Sequence, residues 1–308
     1  MANPEYMENL KLLITNVLDL ARFWTSVSKL WEKCRDGKSR AYGEANPKHV
    51  KKIKQGVEAW NSWRTANPNV QPDLRGADLR GVVLWDVYLY NADLRDAKLH
   101  HTDLRSANLN SANLEGTSLH HANLRAANLS SASLRSANLY HADLGAVELS
   151  SASLEGANLY HVNLRGANLR SANLHYVDLR GADLRGANLR GANLHYVDLG
   201  GADLRDADLG GARLSSAKLY HTNLYHAKLS GADLRGTNLS SADLSYATLT
   251  GACIEDWEID TETILAGVRC EYIYQKSEAI NHQFDDRYPE KPTTFQPGEF
   301  EAFTREKP

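Results

Sequence analysis

The sequence predicts an all-β solenoid built from five-residue units, with an α-helical N-terminal segment before it and an irregular C-terminal cap after it. Three observations carry that prediction. From Leu74 to Leu249 a leucine occupies every fifth position without a miss, thirty-six in phase, and Ile254 and Ile259 extend the phase. Two residues before most of them stands a small residue, as at Ala77, Ala92, Ala107, Ala157 and Ala202, with Val82, Val162, Thr102 and Thr237 as substitutes. The two residues after each leucine are mostly polar and often end in glycine, as in Arg75-Gly76, Arg165-Gly166 and Arg185-Gly186. A period of five fits neither the 3.6 of a helix nor the 2.0 of a flat strand, so each unit must be a short extended piece plus a turn on a coiling path.

Within a unit, residues two apart on an extended segment share a face. Leucine and the small residue therefore point to one interior, and the Asp or Asn between them (Asp78, Asn108, Asn158, Asp203) faces water. If leucine opens a four-residue turn, glycine takes the third position, where a type II turn needs a positive φ. Serine at that position (Ser106, Ser136, Ser171) predicts a type I turn, so mixed turn types are expected along the solenoid. Leucine and alanine fill the interior, and no ligand cavity is expected there.

The repeated unit resembles the A(D/N)LXX signature of the pentapeptide-repeat family over roughly three-fifths of the chain. The resemblance implies a right-handed quadrilateral β-helix with four units per coil. Thirty-eight units then make about nine and a half coils, and at ~4.8 Å between strands the shaft is about 45 Å long. The expected division is 1–44, an amphipathic helix and charged linker; 45–71, a capping helix; 72–254, the β-helix; and 255–308, a C-terminal cap and tail.

Residues 1–70 lack the pentad and read as helical. Asn3-Pro4 and Asn46-Pro47 each offer an N-cap followed by proline at the first helical position. In the first helix Leu10, Leu13, Val17, Leu20, Trp24, Val27 and Trp31 follow three–four spacing. That stripe either packs on its own protein or, through Leu13, Val17, Leu20, Trp24, Val27 and Trp31, binds a partner or a second copy. The second helix places Val50, Ile53, Val57 and Trp60 on one face and runs almost into Pro72-Asp73-Leu74, so it is expected to cover the open first coil. Its segment from Gly56 to Arg64 resembles the helical lead-in of cyanobacterial pentapeptide-repeat proteins.

After Ala252 the pattern decays. Trp257 stands where a small residue belongs and reads as a plug in the core, and the phase slips by one before Leu265 and Cys270. Asp285 to Pro292 is polar and turn-rich, and Phe295 to Phe303 reads as a short helix whose Phe300 and Phe303 seal the last coil, with a disordered tail as the alternative.

Composition narrows the function. The formal net charge is −3, and residues 73–254 hold 17 Lys and Arg against 18 Asp and Glu. Three scattered cysteines (Cys34, Cys253, Cys270) fit a reducing cytosol and no disulfide frame or zinc spacing. The opening residues include Pro4, Glu5 and Glu8, and charges interrupt the apolar stretch near 10–31, so neither signal peptide nor membrane span is expected. The expected location is cytoplasmic.

Function is then expected on the outward positions, which stack into columns every twenty residues. One column pair reads His100-His101, His120-His121, Tyr140-His141, Tyr160-His161, Arg180-Gly181, Gly200-Gly201 and Tyr220-His221. A neighbouring side carries His175-Tyr176 and His195-Tyr196 at the height of the gap, and another carries Tyr225-His226. Together these predict a His/Tyr band along one edge. It reads as a solvated stacking ladder, as a protein-binding face, or as a metal-binding surface, against which the lack of matched carboxylates or cysteines weighs. A second column holds Arg105, Arg125, Arg165, Arg185 and Arg205, with Arg170, Arg180 and Arg190 nearby. The balanced charge favours an Arg/Asp lattice there over nucleic-acid binding.

Some family members protect DNA gyrase by mimicking duplex DNA, and others regulate through protein contacts. A near-neutral shaft argues against DNA mimicry. Nothing supplies a desolvated pocket, a tuned nucleophile or a phosphate loop, so no catalytic residue and no cofactor is expected. The expected function is a non-enzymatic protein-interaction scaffold or regulator with an unidentified protein partner. Alternatives are a topoisomerase-directed mimic and a metal-binding surface; a homodimer is compatible with the first helix.

Overall fold

The computed structural model describes residues 44–277, 284–290, 293–296 and 298–306. The expected first helix, including the stripe Leu13, Val17, Leu20, Trp24, Val27 and Trp31, lies outside the described residues, as does Cys34. The described part comprises α1 (Pro47–Ile53), α2 (Val57–Ala66), a run of pentads, β1 (Ile273–Ser277), β2 (Phe284–Tyr288) and α3 (Glu299–Glu306).

Each pentad forms a single parallel bridge to the pentad four units later. Asp73 pairs with Asp93, Ser133 with Ser153, Asp183 with Asp203, and so on at a twenty-residue interval to Asn238 and Glu258. Four units per coil follow directly. The in-phase leucines from Leu74 to Leu249 are at most 1% exposed, and the alanines before them nearly as buried, so the interior is a stack of leucine and small residues. Where threonine replaces alanine, its hydroxyl finds a carbonyl: Thr102 donates to Leu79 O and Thr222 to Leu199 O, both at 3.0 Å. A buried hydroxyl without a partner would cost about 1–3 kcal/mol.

The backbone amides are all accounted for within a unit. Leu164 N–H donates to Asp183 O, Gly166 N–H to Arg185 O, and Asp183 N–H to Val162 O in the neighbouring coil. Ala167 N–H closes the turn on Leu164 O, and Arg165 N–H is taken by the Asn163 side chain. Three of five amides thus tie coil to coil.

The expectation of mixed turns is overturned. Ser106, Ser136 and Ser171 have φ of 54°, 54° and 56°, the same left-handed region as Gly166 at 63°. A type I turn would require a negative φ at that position. The reason lies in the stack: the third turn residue must aim its N–H at the next coil's carbonyl, as Ser106 does to Arg125 O at 2.9 Å. That requirement outweighs the ~1–2 kcal/mol that a side chain pays in the left-handed region.

Two ends need covering. The single capping helix expected over 45–71 is two helices, α1 and α2, separated by Lys54-Gln55-Gly56, where Gly56 has φ 107° and opens α2. Asn46 caps α1 by accepting from Lys48 N–H, with Pro47 next. The polar groups that the first coil would leave unpaired are met by side chains from this region. His49 Nδ1 accepts from Asp73 N–H, Trp60 Nε1 donates to Tyr88 O, and Asn61 bonds both Asp86 O and Tyr88 N–H. Arg64, fully buried, donates to Val70 O and Tyr90 O and stacks on the Tyr90 ring at 4.1 Å.

At the other end the one-residue slip is present: bridges after Glu258 run at twenty-one residues, from Asp243 to Ile264 through Cys253 to Tyr274. Asp260 anchors the insertion by accepting from Ser241 N–H and Thr263 N–H. Trp257, expected to plug the core, packs against it without being fully enclosed. It is half-buried, with its ring 6.3 Å from Phe300, and Phe300 at 2% exposure closes the stack from α3. Residues 285–288, read as turn-rich, belong to β2, which pairs antiparallel with β1. A terminal helix rather than a disordered tail follows, with Phe303 stacked on Tyr288 at 4.6 Å.

Candidate interaction surface

The two turn residues after each leucine form four corners. The first corner holds residues 80–81, 100–101, 120–121 and their successors every twenty residues. On it the side chains make two columns. The half-buried column begins with His100 over His120, ring centroids 4.4 Å apart at 12°. It continues with Tyr140 over Tyr160 at 5.8 Å and 4°, and with the Arg180 guanidinium 5.3 Å from the Tyr160 ring. The exposed column is His101, His121, His141 and His161, spaced 5.1, 5.5 and 5.3 Å with planes within 7° of parallel. Edge contacts lock the two together, Tyr140 to His141 and Tyr160 to His161 both at 4.2 Å.

The gap at Gly181 and Gly200 is filled by rings of the same corner, while the space over Gly201 stays open. A Cβ on Gly200 would lie 2.3 Å from Tyr220 Cζ, and one on Gly181 would lie 2.5 Å from His161 Cε1. These glycines make room for the ring of an adjacent coil. Gly145 and Gly210 do the same for Arg125 and Arg190. A planar group is therefore carried past Arg180 to Tyr220 without the neighbouring side.

The single expected band is not assembled. His175, Tyr176, His195 and Tyr196 sit on the fourth corner, where Tyr176 stacks on Tyr196 at 5.0 Å and the His195 Nδ1 meets Ser215 Oγ. Tyr225 and His226 sit on the second corner, 4.3 Å apart. Tyr246, which the sequence reading did not single out, joins them at 5.6 and 5.4 Å; its place twenty residues after His226 was the available signal. Tyr220 and His221 remain on the first corner, 5.9 Å apart. Each corner is fixed by its position in the coil, so rings at matching height on different corners face different directions.

Burial favours the neutral imidazole at three positions of the first corner. The pKa values of His100, His120 and His141 are lowered, first by burial and then by neighbouring positive or imidazole groups. His175 and His195 are lowered mainly by burial as well. Ser118 Oγ lies 2.9 Å from His120 Nδ1 and 3.5 Å from His100 Nδ1. The flanking cations are neutralised: Arg80 pairs with Asp78 at 2.6 Å and Arg180 with Asp178 at 2.7 Å.

The basic column is likewise neutralised. Arg105 and Arg205 each bind the carboxylate two residues earlier at 2.6 Å, and Arg185 binds Asp183 in the same way. Arg125 and Arg165, preceded by asparagine, reach Asp143 at 3.6 Å and Asp183 at 4.0 Å in the next coil. The Arg105 and Arg185 guanidiniums hold Asp103 and Asp183 below the usual carboxylate range. This arrangement is an Arg/Asp lattice, not an open cationic strip.

Among the described residues no group of three or more His, Cys, Asp or Glu side chains is gathered to hold a metal ion, and no helix is long and apolar enough to cross a membrane.

The chain matches the family model for pentapeptide repeats over residues 73–110, 107–145, 148–186, 182–219 and 217–256. Among curated proteins none matches. Among solved structures, it is similar to HetL, a pentapeptide repeat protein involved in heterocyst differentiation regulation from the cyanobacterium Nostoc sp. strain PCC 7120. The two are 30% identical, the match covers 75% of this chain and 99% of HetL, and the TM-score is 0.52. A pentapeptide repeat protein of the Arabidopsis thaliana thylakoid lumen is 35% identical over 32% of this chain and 69% of its own, with a TM-score of 0.32. The plasmid-mediated fluoroquinolone resistance protein QnrB1 is 20% identical over 46% of this chain and 85% of its own, with a TM-score of 0.28. Family model and HetL match together place the sequence: this chain belongs to the pentapeptide-repeat family.

Proposed function

We propose that the chain is a cytoplasmic, non-enzymatic interaction scaffold, a right-handed β-helix that binds a protein partner through the first corner. The observation that carries the reading is the double column from His100 to His161, in which planar side chains stack at 4.4–5.8 Å and the outer histidines are exposed. Tyrosine and histidine held in this way offer contact area with little side-chain freedom left to lose, a trait of interface anchors. The relation to HetL, involved in differentiation regulation, supports a regulatory role exerted by contact. DNA mimicry requires an excess of negative charge, whereas here each arginine of the second corner's column has a carboxylate within 4.0 Å.

The test replaces Tyr140, His141, Tyr160 and His161 together by serine and compares affinity capture from source cells with the wild type. A control replaces Ser130, Ser131, Ser150 and Ser151 on the opposite corner by alanine. Loss of a captured protein in the first variant and retention in the control is the expected outcome. Equal recovery by both variants overturns the assignment to this corner. Inhibition of gyrase supercoiling by the wild-type chain would instead establish the mimic.

A further inference from the structure

We propose that the exposed histidine column of the first corner binds divalent first-row transition-metal ions, with two adjacent imidazoles per ion. The proposal is independent of the partner-binding reading. His101, His121, His141 and His161 occupy the third turn position of four successive coils, with φ of 59°, 57°, 53° and 52°. Each backbone N–H is tied to the next coil, as His121 is to Tyr140 O at 3.0 Å and His141 to Tyr160 O at 3.1 Å. The four Cα–Cβ bonds therefore leave the corner in parallel, and the rings stand 5.1–5.5 Å apart.

Two ligands at metal–nitrogen distances of about 2.0–2.1 Å in a tetrahedral site lie about 3.4 Å apart. The nitrogens must close by about 2 Å relative to the ring spacing, and both rings must turn out of their parallel stack so that the in-plane lone pairs converge on the ion, a rotamer change open to exposed side chains. Among the described residues, the imidazole nitrogens of His101, His121 and His141 have no hydrogen-bond or ion-pair partner, so only ring contacts, and no hydrogen bond, must give way. His161 engages one nitrogen with Gly181 O at 3.3 Å and keeps the other. No carboxylate takes part in the column, which favours zinc, nickel or copper over magnesium or calcium. Four rings in a row, taken two at a time, accommodate at most two ions. No cage is pre-assembled, so water completes each coordination sphere and exchange with solution is open.

The test is calorimetric titration of the untagged full chain with zinc chloride at pH 7.5, with magnesium chloride in parallel. Saturable zinc binding of one to two ions per chain is expected, weakening at least tenfold at pH 5.5, with no magnesium heat. The variant His121→Asn with His141→Asn breaks all three adjacent pairs, and asparagine tolerates the left-handed turn. It should lose at least tenfold in zinc affinity while its far-ultraviolet circular dichroism is unchanged. The control variant His175→Asn with His195→Asn should bind zinc like the wild type. Zinc binding that survives His121→Asn with His141→Asn, or that magnesium matches, or that is absent from the wild type, overturns the proposal.

Discussion

Gly166→Ala isolates the left-handed turn from every other contribution. Gly166 has φ 63°, and a Cβ built on it meets nothing within 4 Å, so the substitution adds no clash and removes no contact. What remains is the cost of placing a side chain in the left-handed region, about 1 kcal/mol or somewhat more. The reverse change, Ala126→Gly at an exposed position with φ 55°, should stabilise by a similar amount. Urea unfolding followed by circular dichroism reads both, as opposite displacements of the midpoint with unchanged slope. In heat the shifts should be about 2–4 °C each way for a domain of this size. A type I turn would give the opposite sign, because glycine to alanine in an ordinary backbone region stabilises by about 0.4–1 kcal/mol. Stabilisation by Gly166→Ala would therefore refute the uniform turn and the coil-to-coil amide that enforces it.

Leu164→Ala, at a position with no exposed surface, should cost about 3–5 kcal/mol in urea unfolding, and a cost under about 1 kcal/mol would mean the leucine stack is not a packed core. Burial raises the thiol pKa of Cys253 to about 11 and of Cys270 to about 12, so neither should be alkylated by iodoacetamide at pH 7.5 until the chain unfolds. Mass spectrometry showing fast modification of either would contradict the C-terminal packing. The folded-state pKa values of His100, His120 and His141 lie below 6.5, so the unfolded chain takes up their protons first as pH falls. Their contribution is fully present above pH 6.5 and declines below it. The melting temperature should drop between pH 7.5 and 5.5, and His100→Asn with His120→Asn should reduce that drop.

Much of this was legible because the chain repeats. Spacing by five named the buried leucines, and spacing by twenty placed His100, His120, Tyr140 and Tyr160 in one column. What escaped were features set by neighbours, not by a residue's own preference. Ser106 takes a left-handed φ because a carbonyl one coil away needs its amide, a constraint invisible in a local turn preference. Gly200 reads as a break in the ladder, yet it is the space into which Tyr220 leans. The burial of Arg64 could not be read from α2 alone, since its acceptors are the loop carbonyl of Val70 and the first-coil carbonyl of Tyr90. At the C-terminal end the period had run out. There Trp257 looked like a core residue, but Phe300, forty-three positions later, fills that role.

The columns, the lattice and the proposed sites all rest on residues twenty apart being direct neighbours. A disulfide test addresses that register most directly. Ser133→Cys with Ser153→Cys places two thiols on bridged positions, where neighbouring strands ~4.8 Å apart fall within disulfide range. Peptide mapping after mild oxidation should show that cross-link, and none for Ser133→Cys paired with Asn158→Cys or Glu148→Cys. Cross-linking at fifteen or twenty-five residues but not at twenty would contradict the four-sided coil and the surfaces built on it.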